Sequence, residues 1–137
     1  MTDIDFPVVI FHNPACGTSR NVVEMVRAAG YAPKIVEYLE TGWTHDQLRE
    51  LAGEAGLTLR QLMREKGTPA ADLGLLGDDV GEDRIVDAMV EHPILVNRPI
   101  VVTPKGVKLC RPSEVVLDLL ERKPQSFTKE DGEIVRL

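Results

Sequence analysis

An α/β fold built on a single mixed sheet flanked by helices is predicted by three observations. The apolar run Phe6–Phe11 is followed by helical spacing and then by Lys34–Tyr38, a second strand-like segment, which together make a βαβ unit with parallel strands. The middle of the chain carries only helical periodicity. Towards the end, two apolar runs flank Thr103-Pro104-Lys105-Gly106, whose Pro and Gly suit a turn, so an antiparallel pair is expected there. The order is βαβ, an inserted group of helices, then ββα.

Each element has its own signal. Phe6–Phe11 is short and uniformly apolar, the pattern of a buried strand. His12–Ser19 gathers turn formers and capping residues. Beyond it Val22, Val23, Met25, Val26 and Ala29 follow helical spacing, and Gly30 stops the helix. Thr44 with Gln47, and Thr58 with Gln61, are capping-box pairs. The first precedes Leu48, Leu51, Ala52 and Ala55 on one helical face; the second precedes Leu59, Leu62 and Met63, with Gly67 as the stop. Ile85, Ala88, Met89 and His92 mark another helix. Ile94–Val102 is strand-like, although Pro99 forbids a regular central ladder at that point. Val107–Cys110 folds back antiparallel. Pro112 suits a first helical turn, with Val115, Val116, Leu119 and Leu120 facing inward along a last helix.

The chain has 137 residues, which favours one domain over 1–137, with 123–137 as a polar, mixed surface tail. At 43% hydrophobic and 28% charged it matches globular composition, not disorder. No apolar run approaches the roughly 18–20 residues of a membrane span. Asp3 and Asp5, with no basic n-region or long apolar core, argue against a secretory signal. A net charge of −6 is wrong for a general nucleic-acid binder, but it leaves room for a small anion held by local arginines. Two cysteines, Cys16 and Cys110, are too few for a secreted disulfide framework, so a reducing cytoplasm is the expected location.

Cys16 lies after a strand and at the start of a helix. Unpaired N–H groups and the positive helix end favour a thiolate there, and Arg20 and His12 are close enough in sequence to add positive charge. The alternative is a small core residue. Gly17, Thr18 and Ser19 favour the reactive reading, because such a loop can bring N–H groups to an anion. Ser19 stands where a dithiol oxidoreductase has its second cysteine, so a redox partner sulfur must come from elsewhere. Val22 stands where a tyrosine-phosphatase loop has arginine. Cys110, on a strand between Leu109 and Arg111, reads as a buried structural thiol.

Three arginines, Arg64, Arg98 and Arg111, stand at element ends or on helix faces. Taken singly, each reads as solvated surface charge. Taken together they suit a tetrahedral oxyanion, because a guanidinium donates two parallel hydrogen bonds. Spacing alone leaves their convergence open. Arg98-Pro99, between two apolar segments, is a candidate cis peptide.

Three stretches make the sequence recognisable: His12-Asn13-Pro14-Ala15-Cys16-Gly17-Thr18-Ser19-Arg20-Asn21, His92-Pro93-Ile94-Leu95-Val96-Asn97-Arg98-Pro99-Ile100-Val101-Val102, and Leu109-Cys110-Arg111-Pro112-Ser113-Glu114. From about Val9 to about Asp131 the chain resembles the glutathione- and glutaredoxin-dependent arsenate reductases, the ArsC family of the thioredoxin-like superfamily. The resemblance implies a thioredoxin-like fold with a helical insertion and with Pro99 as a cis-proline facing the cysteine loop. It carries the nucleophile onto Cys16 and the oxyanion-holding role onto Arg64, Arg98 and Arg111, with His12, Ser19 and Arg20 in supporting positions. The implied reaction reduces arsenate through a Cys16 adduct, with glutathione as co-substrate and glutaredoxin as reductant, in the service of arsenical resistance. It needs no metal or bound organic cofactor. Two rivals remain: a glutathione-dependent thiol transferase, which would need Cys16 but not the three arginines together, and a redox-responsive transcription regulator, which Ser19 disfavours.

Overall fold

The computed structural model of the protein describes residues 6–124 and 126–136. The chain divides into two compact units, one formed by the described residues up to Glu37 together with those from Arg98 onward, the other by Tyr38–Asn97.

The first unit is a four-stranded mixed sheet in the order β2-β1-β3-β4. β1 (Val9–His12) leads through helix α1 (Gly17–Ala28) to β2 (Lys34–Glu37), and the two strands pair in parallel with Ile10 opposite Ile35. β3 (Ile100–Thr103) runs antiparallel to β1, and β4 (Gly106–Leu109) antiparallel to β3, with Val102 opposite Val107. Helix α1 forms because its apolar residues recur on one face: Val22, Val23, Met25 and Val26 are all buried. It ends where Gly30 takes a φ of +96°, a left-handed conformation that side chains with a Cβ avoid. Val22, Met25 and Val26 pack with Ile10, Val101 and Val116 into one core, in which each fully buried aliphatic side chain contributes roughly 1.5–3 kcal/mol.

The expected final helix is a 3₁₀ segment, Ser113–Leu119. Its tighter i→i+3 winding places Val116 and Leu119 above one another, and both are buried. The 123–137 segment, expected as a polar tail, carries a two-stranded hairpin of β5 (Ser126–Thr128) and β6 (Ile134–Arg136). Half-buried Phe127 packs against the core, and that contact gives this polar stretch its anchor. Of the expected elements, the ends Met1–Asp5, Gln125 and Leu137 lie outside the described residues.

The second unit is the helical insertion: α2 (Tyr38–Thr41), α3 (His45–Ala55), α4 (Leu59–Leu62) and α5 (Glu82–Glu91). Both capping boxes form. Gln47 and Gln61 N–H groups donate to Thr44 and Thr58 Oγ1 at 3.1 and 3.0 Å, and each glutamine side chain accepts from its threonine N–H. Helix α4 stops after a single turn instead of continuing towards Gly67. The cause is a competing backbone pairing: Asn97 N–H donates to Leu62 O at 2.9 Å and Arg64 N–H to Leu95 O at 2.7 Å, around a Met63–Val96 bridge. The strand expected over Ile94–Val102 is shortened for a related reason. Pro93 opens a 3₁₀ turn through Leu95, and Pro99 has no N–H to donate to a ladder, so β3 begins at Ile100.

Candidate active site

The cysteine loop is shaped by bonds within itself. Cys16 takes the position that caps α1, and its N–H donates to Asn13 O at 3.0 Å, while Ala15 N–H donates to Asn13 Oδ1 at 2.9 Å. Asn13 is therefore a framework residue of the loop as well as part of the motif. Ser19, fully buried in the first turn of α1, accepts from Asn13 N–H at 3.2 Å and shares a 2.6 Å hydrogen bond with His12 Nδ1. Arg20 Nη1 donates to Pro14 O at 2.8 Å.

Two arginines reach the sulfur from the other side of the sheet connections. Arg98 precedes β3 and Arg111 follows β4, and both Arg98-Pro99 and Arg111-Pro112 are cis. Proline at position 99 was legible as a candidate cis site; the second, at 112, gave no such signal. Arg111 Nη1 lies 3.7 Å from Cys16 Sγ and 2.9 Å from Arg98 O, so one nitrogen joins the thiol to the backbone beside the other arginine.

Burial works against a charged Cys16, but the Ser19 N–H, the Arg98 and Arg111 side chains and the Arg98 charge outweigh it and hold the thiol below its ordinary value. Cys110 goes the opposite way. Wholly buried, with its sulfur 3.7 Å from Lys108 O, its thiol is pushed up to about 12 by burial. His12 does not supply the positive charge expected of it. Its burial lowers the imidazole below its ordinary value against the pull of Glu37, with Arg20 and Arg27 reinforcing the effect, so it is neutral at pH near 7 and acts on the loop through Ser19.

Cys16, Arg98, Arg111, Pro99, His12, Ser19 and Arg20 all belong to the first unit. Arg64 belongs to the second, where Nε donates to Lys66 O at 3.0 Å and Nη1 to Asn97 Oδ1 at 3.4 Å. A cleft of about 390 Å³ is lined by His12, Arg20, Arg27, Ile35 and Glu37 among others, but not by Cys16, Arg98 or Arg111. The groups that lower the Cys16 thiol, Ser19, Arg98 and Arg111, are not among that cleft's lining residues. Glu130, which grips Arg20, carried no sequence signal, because its partner is far away in the chain and its own neighbourhood is uniformly polar. Among the described residues no helix is long and apolar enough to cross a membrane.

A parallel βαβ unit, an antiparallel β-pair behind a cis-proline and a cysteine with a depressed pKa at the head of α1 define a protein of thioredoxin-like fold. The ArsC family model matches residues 11–119, and the chain belongs to that family. It is 59% identical over 129 residues to an arsenate reductase of Synechocystis sp., spanning 93% of this chain and 92% of the relative. It is 53% identical over 129 residues to an arsenate reductase of Escherichia coli K12, with the same coverage of 93% and 92%. In three dimensions it is similar to an arsenate reductase from Vibrio cholerae, with a TM-score of 0.80 and 38% identity over 84% of this chain and 98% of that one.

Proposed function

We propose that the protein is an arsenate reductase in which Cys16 is the nucleophile and glutathione and glutaredoxin supply the reducing thiols. The observation that carries this reading is a buried sulfur with two arginines on it: a thiol whose pKa is lowered by the Ser19 N–H and by Arg98 and Arg111. Such a site attracts a tetrahedral oxyanion and lowers the repulsion between it and an anionic nucleophile.

In the proposed reaction arsenate binds on the guanidinium groups of Arg98 and Arg111, and the family resemblance assigns a third oxyanion-holding role to Arg64. The Cys16 thiolate attacks arsenic, forming a sulfur–arsenic bond as a protonated oxygen leaves as water. A glutathione thiol displaces a second oxygen in the same way. The glutaredoxin thiolate then attacks the glutathione sulfur. The arsenic–sulfur electron pair passes to arsenic, which goes from As(V) to As(III), and the two outside thiols end as a mixed disulfide. Arsenite leaves Cys16 by hydrolysis, which regenerates the thiol. Ser19 suits this scheme, since no second cysteine in the loop competes for the adduct. Cys110, wholly buried and with its thiol pushed up to about 12, is unsuited to resolve it.

The test is NADPH consumption by the purified protein with arsenate, glutathione, glutaredoxin and glutathione reductase, beside Cys16→Ser and Cys110→Ser. Arsenate-dependent oxidation that needs glutathione and Cys16 but survives in Cys110→Ser is the expected result. Arsenate-independent reduction of a mixed disulfide, with no arsenate turnover, would replace the reading with a thiol transferase.

A further inference from the structure

The β5–β6 hairpin lies outside the four-stranded sheet, yet its tip is tied to both segments that frame Cys16. On one side Glu130 grips Arg20 with both carboxylate oxygens, 2.8 Å to Nε and 2.9 Å to Nη2, and its N–H donates to Asn21 Oδ1 at 3.1 Å. On the other, Lys129 Nζ lies 2.9 Å from Glu114 Oε1, in the 3₁₀ segment that follows Arg111-Pro112. Arg20 thus has one edge of its guanidinium on Glu130 and spends Nη1 on Pro14 O, within the cysteine loop. Because the guanidinium is planar and rigid, a carboxylate that takes one edge fixes the direction of the other N–H groups. The Arg20 and Glu130 side chains are 43% and 47% exposed, so their pairing adds little to stability. What it fixes is a direction.

We propose that Glu130 is a positioning residue for Cys16, holding Arg20 so that Nη1 fixes the Pro14 carbonyl and the thiol-bearing turn stays aligned with the Ser19 N–H. The inference deepens the proposed reaction and rests on Cys16 as its nucleophile, but it does not depend on arsenate as the substrate. The charged groups that bear on Cys16 come from several elements. Arg98 stands ahead of β3, Arg111 after β4, and Arg20 on α1 with Glu130 facing it. Neutral His12 stands behind Ser19, with Glu37 beside it on β2. These charges make the two roles open to Glu130 separable by sign. Removing its charge leaves Arg20 uncompensated, which by electrostatics alone favours the thiolate and moves the Cys16 titration down. Releasing the turn weakens the Ser19 N–H bond to sulfur and moves the titration up.

The experiment is the pH profile of Cys16 alkylation by iodoacetamide in the full chain, read by mass spectrometry, for wild type, Glu130→Gln, Glu130→Asp, Arg20→Gln and the double variant of Glu130→Gln with Arg20→Gln, with thermal melts alongside. In Glu130→Gln the midpoint is expected to rise by about half a unit, making alkylation on the acid limb roughly threefold slower, while the melt shifts by less than about 4 °C. Glu130→Asp recovers part of the rate, and adding Glu130→Gln to Arg20→Gln produces no further shift. A midpoint that stays or falls in Glu130→Gln overturns the proposal. So does a rise accompanied by a larger loss of melting temperature, which makes the hairpin a brace, or a further shift in the double variant, which takes the effect away from Arg20. Alkylation needs no arsenate, so a wild-type chain that alkylates normally but turns over no arsenate sinks the reductase reading and leaves this test standing.

Discussion

Replacing Arg111 by lysine separates the positive charge near Cys16 from the geometry that delivers it. Arg111 Nη1 is 3.7 Å from Sγ and 2.9 Å from Arg98 O, and a rigid guanidinium serves both at once. A lysine ammonium is a point charge on a flexible stem and does not hold that fork. A hydrogen bond to a charged partner contributes about 1.5–3 kcal/mol net, and the long approach to sulfur puts this one at the low end. About 1.4 kcal/mol corresponds to one pKa unit, so Cys16 in Arg111→Lys is expected to titrate about one unit higher, with alkylation below the midpoint slowed about tenfold. Because the wild-type thiol is depressed on folding, its thiolate contributes stability that is present above the unfolded-chain value and lost as pH falls through the folded one. The variant gives up part of that contribution, so its stability gains less as pH rises across this window. The assay is thiolate absorbance against pH, with Cys16→Ser as the blank and a thermal melt to show that the variant is folded. A folded Arg111→Lys whose titration superimposes on the wild type would refute the assignment of Arg111 to the sulfur.

Three further outcomes follow from the same structure. The folded chain keeps the Cys110 proton until pH is about 12, whereas an unfolded thiol loses it near 9, so stability falls with rising pH across that window. Cys110→Ala should remove about 2 kcal/mol of that decline by pH of about 10.5, read from urea melts compared with those near neutrality. Ser19→Ala leaves the buried Asn13 N–H and His12 Nδ1 without their shared partner, at a cost of about 1–3 kcal/mol, and slows Cys16 alkylation; an unchanged melt would count against the Ser19 network. Thr58→Ala breaks the capping box of α4 and should cost about 1 kcal/mol in a denaturant melt, with Cys16 reactivity as in the wild type.

The legible parts of this fold are those whose signal is local. The helical face of Val22, Met25 and Val26, the Gly30 stop and the two Thr–Gln capping boxes were readable because a few neighbouring residues determine each of them. The strand expected over Ile94–Val102 and the helix expected to run towards Gly67 were misjudged together, for one reason. Leu62 and Arg64 pair with Asn97 and Leu95, and such a long-range bridge leaves no period in either segment. The site divides in the same way. Cys16 and its turn were visible in the motif, and Arg98 and Arg111 were visible as candidates beside prolines. That one Arg111 nitrogen joins the sulfur to the Arg98 carbonyl depends on how β3 and β4 return, which spacing does not encode. Glu130 was hidden by the same distance in sequence.

The two cysteines of the first unit show what decides reactivity here. Both are buried, so burial alone would raise both thiols, and it does so at Cys110, whose thiol donates to a Lys108 carbonyl that cannot stabilise an anion. At Cys16 the same penalty is overcome by donors: a backbone N–H at the head of α1 and two guanidinium groups. His12 is lowered by burial and spends Nδ1 on Ser19. The Cys16 thiol is therefore depressed by the Ser19 N–H and two guanidinium groups, not by a charged imidazole. Fixed donors of this kind suit the nucleophile role proposed for Cys16, with Arg98 and Arg111 also available to the oxyanion proposed as its substrate.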